Sequence, residues 1–190
     1  MSREFNQVTL IEMLYSSGLI QLGNFAQPDG TRSPMLLRFD LLASYPAILD
    51  AVAEALAPLL RPAPSRLLCA WDAVALGTAL ALKTGIPLVY SRGIQDAPVQ
   101  DLVGAYDIGH QTILLLPEAN RYTAAGSIGL IARARSVGLD VVGIVSWVKH
   151  RVESDNEPPI AALLHLNRFA ELMMQAGYFT RLQAEMITNS

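Results

Sequence analysis

Between Gln111 and Val148 the chain reads QTILLLPEANRYTAAGSIGLIARARSVGLDVVGIVSWV. Gln111 to Leu116 is a short run apolar on both faces. Thr123 to Val137 spaces its apolar residues for a helix that Gly138 ends, and Asp140 to Val148 is a second, nearly continuous apolar run. A strand with one face in water alternates polar and apolar residues, whereas a strand apolar throughout must be covered on both sides. Two such runs joined by a helix predict parallel pairing, because the intervening helix carries the chain back to the edge from which it started.

The same alternation extends outward. Arg66 to Ala70 reads as a strand, Asp72 to Lys83 as an Ala/Leu-rich helix capped by Gly85, and Ile86 to Tyr90 as a further strand. Upstream, Tyr45-Pro46 opens a helix through Leu60, and Arg61-Pro62-Ala63-Pro64 ends it, since proline cannot supply the helical N–H. Val8 to Ser17 is a short amphipathic helix that stops at Gly18. Phe25 to Pro34, broken by Pro28, Asp29-Gly30 and Ser33-Pro34, reads as turns, followed by a strand-like run from Met35 to Phe39. Ile160 to Leu166 and Asn167 to Ala176 supply a last strand and helix. Ser91 to His110 is non-periodic and long enough to expect a functional loop or lid. These segments predict an α/β fold, a mostly parallel central sheet with helices on both faces, in one domain over 1–190, without internal repeats.

Composition narrows the function classes. Of 190 residues 52% are hydrophobic and 16% charged, with a mean hydropathy of +0.32. That leaves little charge to cover a monomer, so a homodimer with a buried subunit face is expected. The net charge is −3, and the 14 basic residues, of which only Lys83 and Lys149 are lysines, are scattered, which argues against a nucleic-acid partner. Apolar stretches such as Ala47 to Leu60 are interrupted by Asp50 and Glu54 and fall short of the roughly 18 to 20 residues a membrane span needs. Met1 to Asn6 carries an acid and no apolar core, unlike a secretory signal. A cytoplasmic protein without a membrane partner is therefore expected. Cys69, inside Leu67-Leu68-Cys69-Ala70, reads as a buried inert thiol, and three isolated histidines make no metal cluster.

In open α/β sheets ligands bind beyond the carboxyl ends of the strands. The turn between Leu116 and Ile128 is the candidate here. Within it Thr123, Ala124, Ala125, Gly126 and Ser127 are small residues at a helix start, where backbone N–H groups and the helix dipole attract phosphate. The plainer reading of the same residues is an ordinary Thr or Ser helix cap.

The order of these segments resembles the orotate phosphoribosyltransferases, of the type I phosphoribosyltransferase fold, from about Leu10 to Ala184. Phe25, Asp29-Gly30 and Ser33-Pro34 match the family's Phe-x-x-x-Ser-Gly-x-x-Ser-Pro turn, and Leu42-Ala43-Ser44-Tyr45-Pro46 leads into Ala53-Glu54-Ala55-Leu56 as expected. Gly77 to Leu82 with Thr84 to Tyr90 looks like the family's helix and second strand. Thr123-Ala124-Ala125-Gly126-Ser127 falls where the family has Thr-Thr-Gly-Gly-Ser, the loop for the 5-phosphate of phosphoribosyl pyrophosphate. The resemblance implies residues 1–45 and 150–190 as a small hood and dimer region. It also implies transfer of ribose 5-phosphate from the pyrophosphate donor to a base nitrogen, with Mg²⁺ and cationic side chains at the leaving pyrophosphate.

The family's chemical residues are largely replaced. Counting back from Ser127, the two acids that would hold the ribose hydroxyls fall on Ala119 and Asn120, and Glu118 is one place early, so only a one-residue bulge would restore a carboxylate. The mobile loop's Lys-x-x-Lys-x-His-Gly pattern is replaced by Arg92-Gly93-Ile94-Gln95-Asp96-Ala97-Pro98, leaving Arg92 alone as a cation. The glycine-containing pyrophosphate turn after the first parallel strand is Ala70-Trp71-Asp72-Ala73, in which Trp71 and Asp72 would fill and repel a diphosphate's space. At the base end, Pro28 stands for a lysine, Leu36-Leu37 for an aromatic pair, and Lys149-His150-Arg151 lies near the family's Asp-Arg, with Arg151 as the surviving cation.

The expectation is thus a scaffold that has lost catalysis, with no catalytic residue and no cofactor. It would act as a ligand-binding or regulatory homodimer, with a phosphorylated metabolite at Thr123 to Ser127. Two alternatives stand beside it. One is an active phosphoribosyltransferase using Mg²⁺, with Glu118 and Asn120 on the ribose side, Trp71, Asp72, Ala73 and Arg92 on the pyrophosphate side, and Leu36, Leu37 and Arg151 at the base. The other is a structural partner of a true enzyme subunit.

Overall fold

The first helix, α1 (Gln7–Ser16), leads into two short antiparallel strands, β1 (Ile20–Ala26) and β2 (Arg32–Leu37), which pair from Ile20 with Leu37 to Ala26 with Arg32. A computed structural model describes residues 7–26, 30, 32–92, 101–119, 121–150 and 158–188, the side chains of 121–126 excepted. The strand-like run expected from Met35 holds as far as Leu37, whereas residues 25–26 and 32–34, expected as turns, are strand; Pro28 and Asp29 lie outside the described residues. The extended run begins at Arg32, and Phe39–Ser44 is a 3-10 segment. Cross-strand pairing with Phe25 carries Ser33, and Pro34 falls at the irregularity between the Leu22–Met35 and Phe25–Ser33 pairs, although both read as turn formers when taken alone.

A six-stranded sheet follows. Its members are β3 (Arg66–Cys69), β4 (Leu88–Arg92), β5 (Asp101–Val103), β6 (Gln111–Ala119), β7 (Asp140–Lys149) and β8 (Ile160–His165), in the order β5-β4-β3-β6-β7-β8. All neighbours are parallel except β5, which runs antiparallel along β4. Part of Ser91 to His110, expected to be loop, is therefore strand: Ser91 and Arg92 end β4, and β5 pairs with it.

Side chains alternate across this sheet, which explains why its strands are apolar throughout. Leu67, Cys69, Leu115, Val145 and Trp147 join one core with residues of α1, α2 (Pro46–Leu56), α3 (Val74–Thr84), α5 (Leu166–Gln175) and α6 (Arg181–Thr188). Leu68, Val89, Leu114, Leu116 and Ile144 face the other way, onto Leu130, Ile131 and Ala134 of α4 (Arg121–Ser136). Each leucine fully removed from water contributes about 1.5–3 kcal/mol, so the two faces together are the main stabilising term. The helix stops expected at glycine hold. Gly85 caps α3 in the left-handed conformation with φ 72° and donates its N–H to Ala81 O.

Pro46 opens α2 at its first turn, where a missing N–H costs nothing. The two chain ends meet through aromatic rings. Tyr15 of α1 lies 4.8 Å from Tyr178 and 6.5 Å from Phe179, and contacts then run through Phe169 to Trp147 on β7 and on to Phe39, with ring centroids 5.4–5.9 Å apart. Helix α6, not foreseen because Leu182 and Met186 face solvent and weaken its apolar stripe, packs on α5 and β2. Among the described residues no helix is long and apolar enough to cross a membrane.

Candidate functional site

The carboxyl ends of the parallel strands bring together the turn Ala70–Ala73 after β3, Arg92 at the end of β4, Glu118-Ala119 at the end of β6, Lys149-His150 at the end of β7 and His165 at the end of β8. This edge is where the candidate pyrophosphate and ribose positions were placed. Leu36 and Leu37 lie on β2 of the separate hairpin, half-buried and paired with Gln21 and Ile20. Asn120 and Arg151 are outside the described residues, as is the segment 93–98.

Strand β6 is longer than its apolar core suggested. It continues through Pro117, Glu118 and Ala119 because β7 continues beside it, pairing Glu118 with Val148 and Ala119 with Lys149. Beyond Leu115 the partner β3 has ended, so β6 has an open side on which Pro117's missing N–H costs no ladder bond. Where a turn was expected between Leu116 and Ile128, the strand therefore runs to Ala119 and helix occupies the residues from Arg121. The register runs unbroken from Ile113 to Ala119, so β6 has no bulge at Glu118. Ala119 is fully buried, and its carbonyl accepts the His150 N–H at 2.9 Å.

Glu118 is occupied in its own way. Its Oε1 lies 2.6 Å from Nε2 of His150, with both side chains under one-fifth exposed. The contact is a close approach of a carboxylate oxygen to a ring nitrogen, not an aligned hydrogen bond. Sequence reading placed both residues near the site but missed the pairing. The signal was available in register: once Leu116 is set opposite Ser146, counting two further places along each strand brings Glu118 beside the end of β7.

Helix α4 starts at Arg121, two residues before the expected Thr123. In an α-helix only the N–H groups of the cap and the first three residues lack an internal acceptor. Arg121, Tyr122 and Thr123 thus fall in the first turn, without an intrahelical acceptor, while the N–H groups of Ala124, Ala125, Gly126 and Ser127 enter the helical ladder. Ser127 is buried.

On the pyrophosphate side, Trp71–Ala73 forms a 3-10 turn leading into α3, and it packs against the segment Phe39–Ser44 and the ends of β4 and β6. Trp71 is half-exposed at 50%, and Ala73 is buried. Burial pushes the Asp72 carboxyl above the ordinary range, against backbone hydrogen bonds from Asp72 and Ala73 that pull it down, and the nearby charge of Asp40 adds to the rise. Asp40 itself is held low by Arg38, whose Nε and Nη2 donate to its two carboxylate oxygens at 3.0 and 2.9 Å. Burial next to Asp72 raises the Cys69 thiol to about 12, as expected of an inert core thiol. Arg92 is exposed at the end of β4, opposite Asp101 in register. Lys83 lies elsewhere, bridging Asp50 and Glu54 at 2.9 Å each between α3 and α2, so its charge serves helix packing.

With this geometry fixed, comparison with known proteins shows which fold the chain shares. A Leishmania donovani UMP synthase structure superposes over 97% of this chain with a TM-score of 0.81 at 24% identity, although that covers only 41% of the UMP synthase chain. The Francisella tularensis orotate phosphoribosyltransferase superposes with a TM-score of 0.68 at 16% identity over 95% of this chain and 96% of its own. In sequence, the orotate phosphoribosyltransferase of Chlamydia caviae (strain ATCC VR-813 / DSM 19441 / 03DC25 / GPIC) is 32% identical over 90 residues. The chain is orotate phosphoribosyltransferase-like. Its fold is that of the type I phosphoribosyltransferases, with β5 as the antiparallel edge of the sheet. The sequence match spans 46% of this chain and 44% of the Chlamydia protein, under half of each. No family model matches the chain.

Proposed function

We propose that this orotate phosphoribosyltransferase-like chain keeps the scaffold, has lost phosphoribosyl transfer, and serves as a ligand-binding or regulatory homodimer. The observation that carries the reading is Ala119. The family's resemblance puts an acid there, and the chain instead has a methyl group, fully buried and held in register against Lys149. A carboxylate that grips two ribose hydroxyls must reach the ligand, and a fully buried alanine offers neither charge nor access.

The rest of the edge supports the same conclusion. A Mg²⁺–pyrophosphate needs oxygen ligands and cationic donors. Here the Glu118 carboxylate lies against His150, the Asp72 carboxylate is partly withdrawn from solvent, and Lys83 is spent on Asp50 and Glu54. These residues do not fit the metal–diphosphate, so no transfer step is assigned through it. What the scaffold retains is a helix start at the sheet edge, where the first-turn N–H groups of Arg121, Tyr122 and Thr123 favour an anion such as a sugar phosphate.

Calorimetric titration with ribose 5-phosphate tests the binding half of the reading. Saturable binding at millimolar concentration or tighter, with no dependence on Mg²⁺, is expected. No heat at millimolar ligand would leave the structural-partner reading in its place, and binding that requires Mg²⁺ would favour an active enzyme. Light scattering tests the homodimer, which a monomer mass at micromolar concentration would refute.

A further inference from the structure

The turn after β3 carries an uncommon combination. In a chain with two tryptophans, Trp147 is entirely buried, whereas Trp71 keeps half its surface in solvent at the carboxyl edge of the sheet. Large aromatic side chains bury well, and one left open at the edge where α/β folds bind ligands is a stacking surface without its partner. The charge beside it is acidic: Asp72 is the next residue, and Asp40, close enough to act on it electrostatically, is itself paired bidentately with the guanidinium of Arg38. The segment Phe39–Ser44, which packs on the turn, contributes a partly exposed Leu41.

Two amides at the end of this turn are engaged. Ala73 donates its N–H to Ala70 O at 3.1 Å and Val74 donates its own to Trp71 O, closing the 3-10 turn on itself. A diphosphate would meet no free cationic side chain within the turn and would approach a carboxylate. A flat ring would meet a half-exposed indole, and a positive charge on that ring would be favoured both by the indole quadrupole and by Asp72.

We infer that the turn Ala70–Ala73 binds a planar nitrogen heterocycle, cationic or uncharged, stacked on Trp71, in place of a diphosphate. The inference rests on the proposed loss of transfer only in placing the ligand at this edge, and it concerns which chemistry the edge accepts. Its partner is a nucleobase-like ring bearing positive charge or hydrogen-bond donors that Asp72 can accept.

The test is tryptophan fluorescence during titration with 1-methyladenosine, cationic at neutral pH, with adenosine, anionic orotate and inorganic pyrophosphate as the other arms. W147F leaves Trp71 as the only reporter, and W71A and W71F report on the stacking surface while circular dichroism follows their folding. Expected is saturable quenching by 1-methyladenosine, weaker by adenosine and least by orotate and pyrophosphate. W71A should weaken binding at least about fivefold by calorimetry, W71F less, and D72N should narrow the gap between 1-methyladenosine and adenosine. Several results would overturn the inference: no saturable quenching by either nucleoside, equal affinity in W71A, or tighter binding of pyrophosphate. A fall in mass of W71A by light scattering would do so as well, because Trp71 would then be covered by a second copy. Orotidine monophosphate synthesis, assayed separately on the unmodified chain, reports on the proposed loss of transfer, so the two readings fail by different results.

Discussion

Replacing Ala119 by aspartate places a carboxyl where the resemblance expects one and where the structure has a closed core. Ala119 is 0% exposed, in register with Lys149, and its carbonyl is bonded to His150. The new side chain adds three heavy atoms to a filled site, which costs about 1–3 kcal/mol by overpacking, and an unpaired buried carboxyl brings the sum to about 3–5 kcal/mol. Against a total stability of about 5–15 kcal/mol this is a large fraction, corresponding to a melting temperature lower by roughly 6–20 °C. Burial raises the folded-state pKa of such a carboxyl above its unfolded value of about 3.9, so the folded protein holds the proton more tightly than the unfolded chain. The deficit should therefore be smallest near pH 4 and grow as the pH rises through the folded pKa. Urea unfolding of A119D and the unmodified protein at several pH values measures this. A deficit below about 1 kcal/mol at neutral pH, unchanged with pH, would refute the reasoning. It would mean that the carboxylate reaches solvent or the Lys149 ammonium, and that the end of β6 is an open ribose edge.

Asp72 has its pKa raised by burial, so it favours folding least when ionised. D72N should be more stable than the unmodified protein at neutral pH, with the difference vanishing as the pH falls to the unfolded carboxylate value, and thermal melts at both ends of that window check it. Gly104 has φ 141°, and an added Cβ would lie 2.7 Å from Leu88 O and 3.0 Å from Val89 Cα, both backbone atoms. G104A should cost about 2–4 kcal/mol in urea unfolding and speed amide exchange along β5, and a loss under about 0.5 kcal/mol would contradict the close packing of β5 on β4. With its thiol raised to about 12, Cys69 should resist thiol-directed reagents in the native protein and react once urea unfolds it, whereas rapid stoichiometric labelling of the folded chain would show an open β3.

The parts of the fold legible in the sequence were those in which burial on both faces writes itself into composition. The runs around Leu67, Leu114 and Val145 are apolar in both directions because each strand has helices above and below, and Gly85 and Gly138 end helices because a left-handed residue is needed there. Strand β1 was not legible, since Gln21, Gly23 and Asn24 interrupt its apolar residues and only Ile20 of the strand is buried. Nor was the end of β6, where Pro117 and Glu118 are poor strand formers held by the neighbouring β7. The site followed the same division. Trp71, Asp72, Glu118 and His150 could be placed at strand ends by counting, but the contact between Glu118 and His150, the half-exposure of Trp71 and the burial of Ala119 depend on register and packing that no local pattern records.

Loss of phosphoribosyl transfer is tested most directly by steady-state synthesis of orotidine monophosphate from orotate and phosphoribosyl pyrophosphate with Mg²⁺. The replaced acids and the spent lysine predict turnover more than a hundredfold below the ~10 s⁻¹ of a typical enzyme. A rate within a hundredfold of that value, lost on substitution of Glu118 or Arg92, would contradict the account and make the chain an active phosphoribosyltransferase with substituted residues.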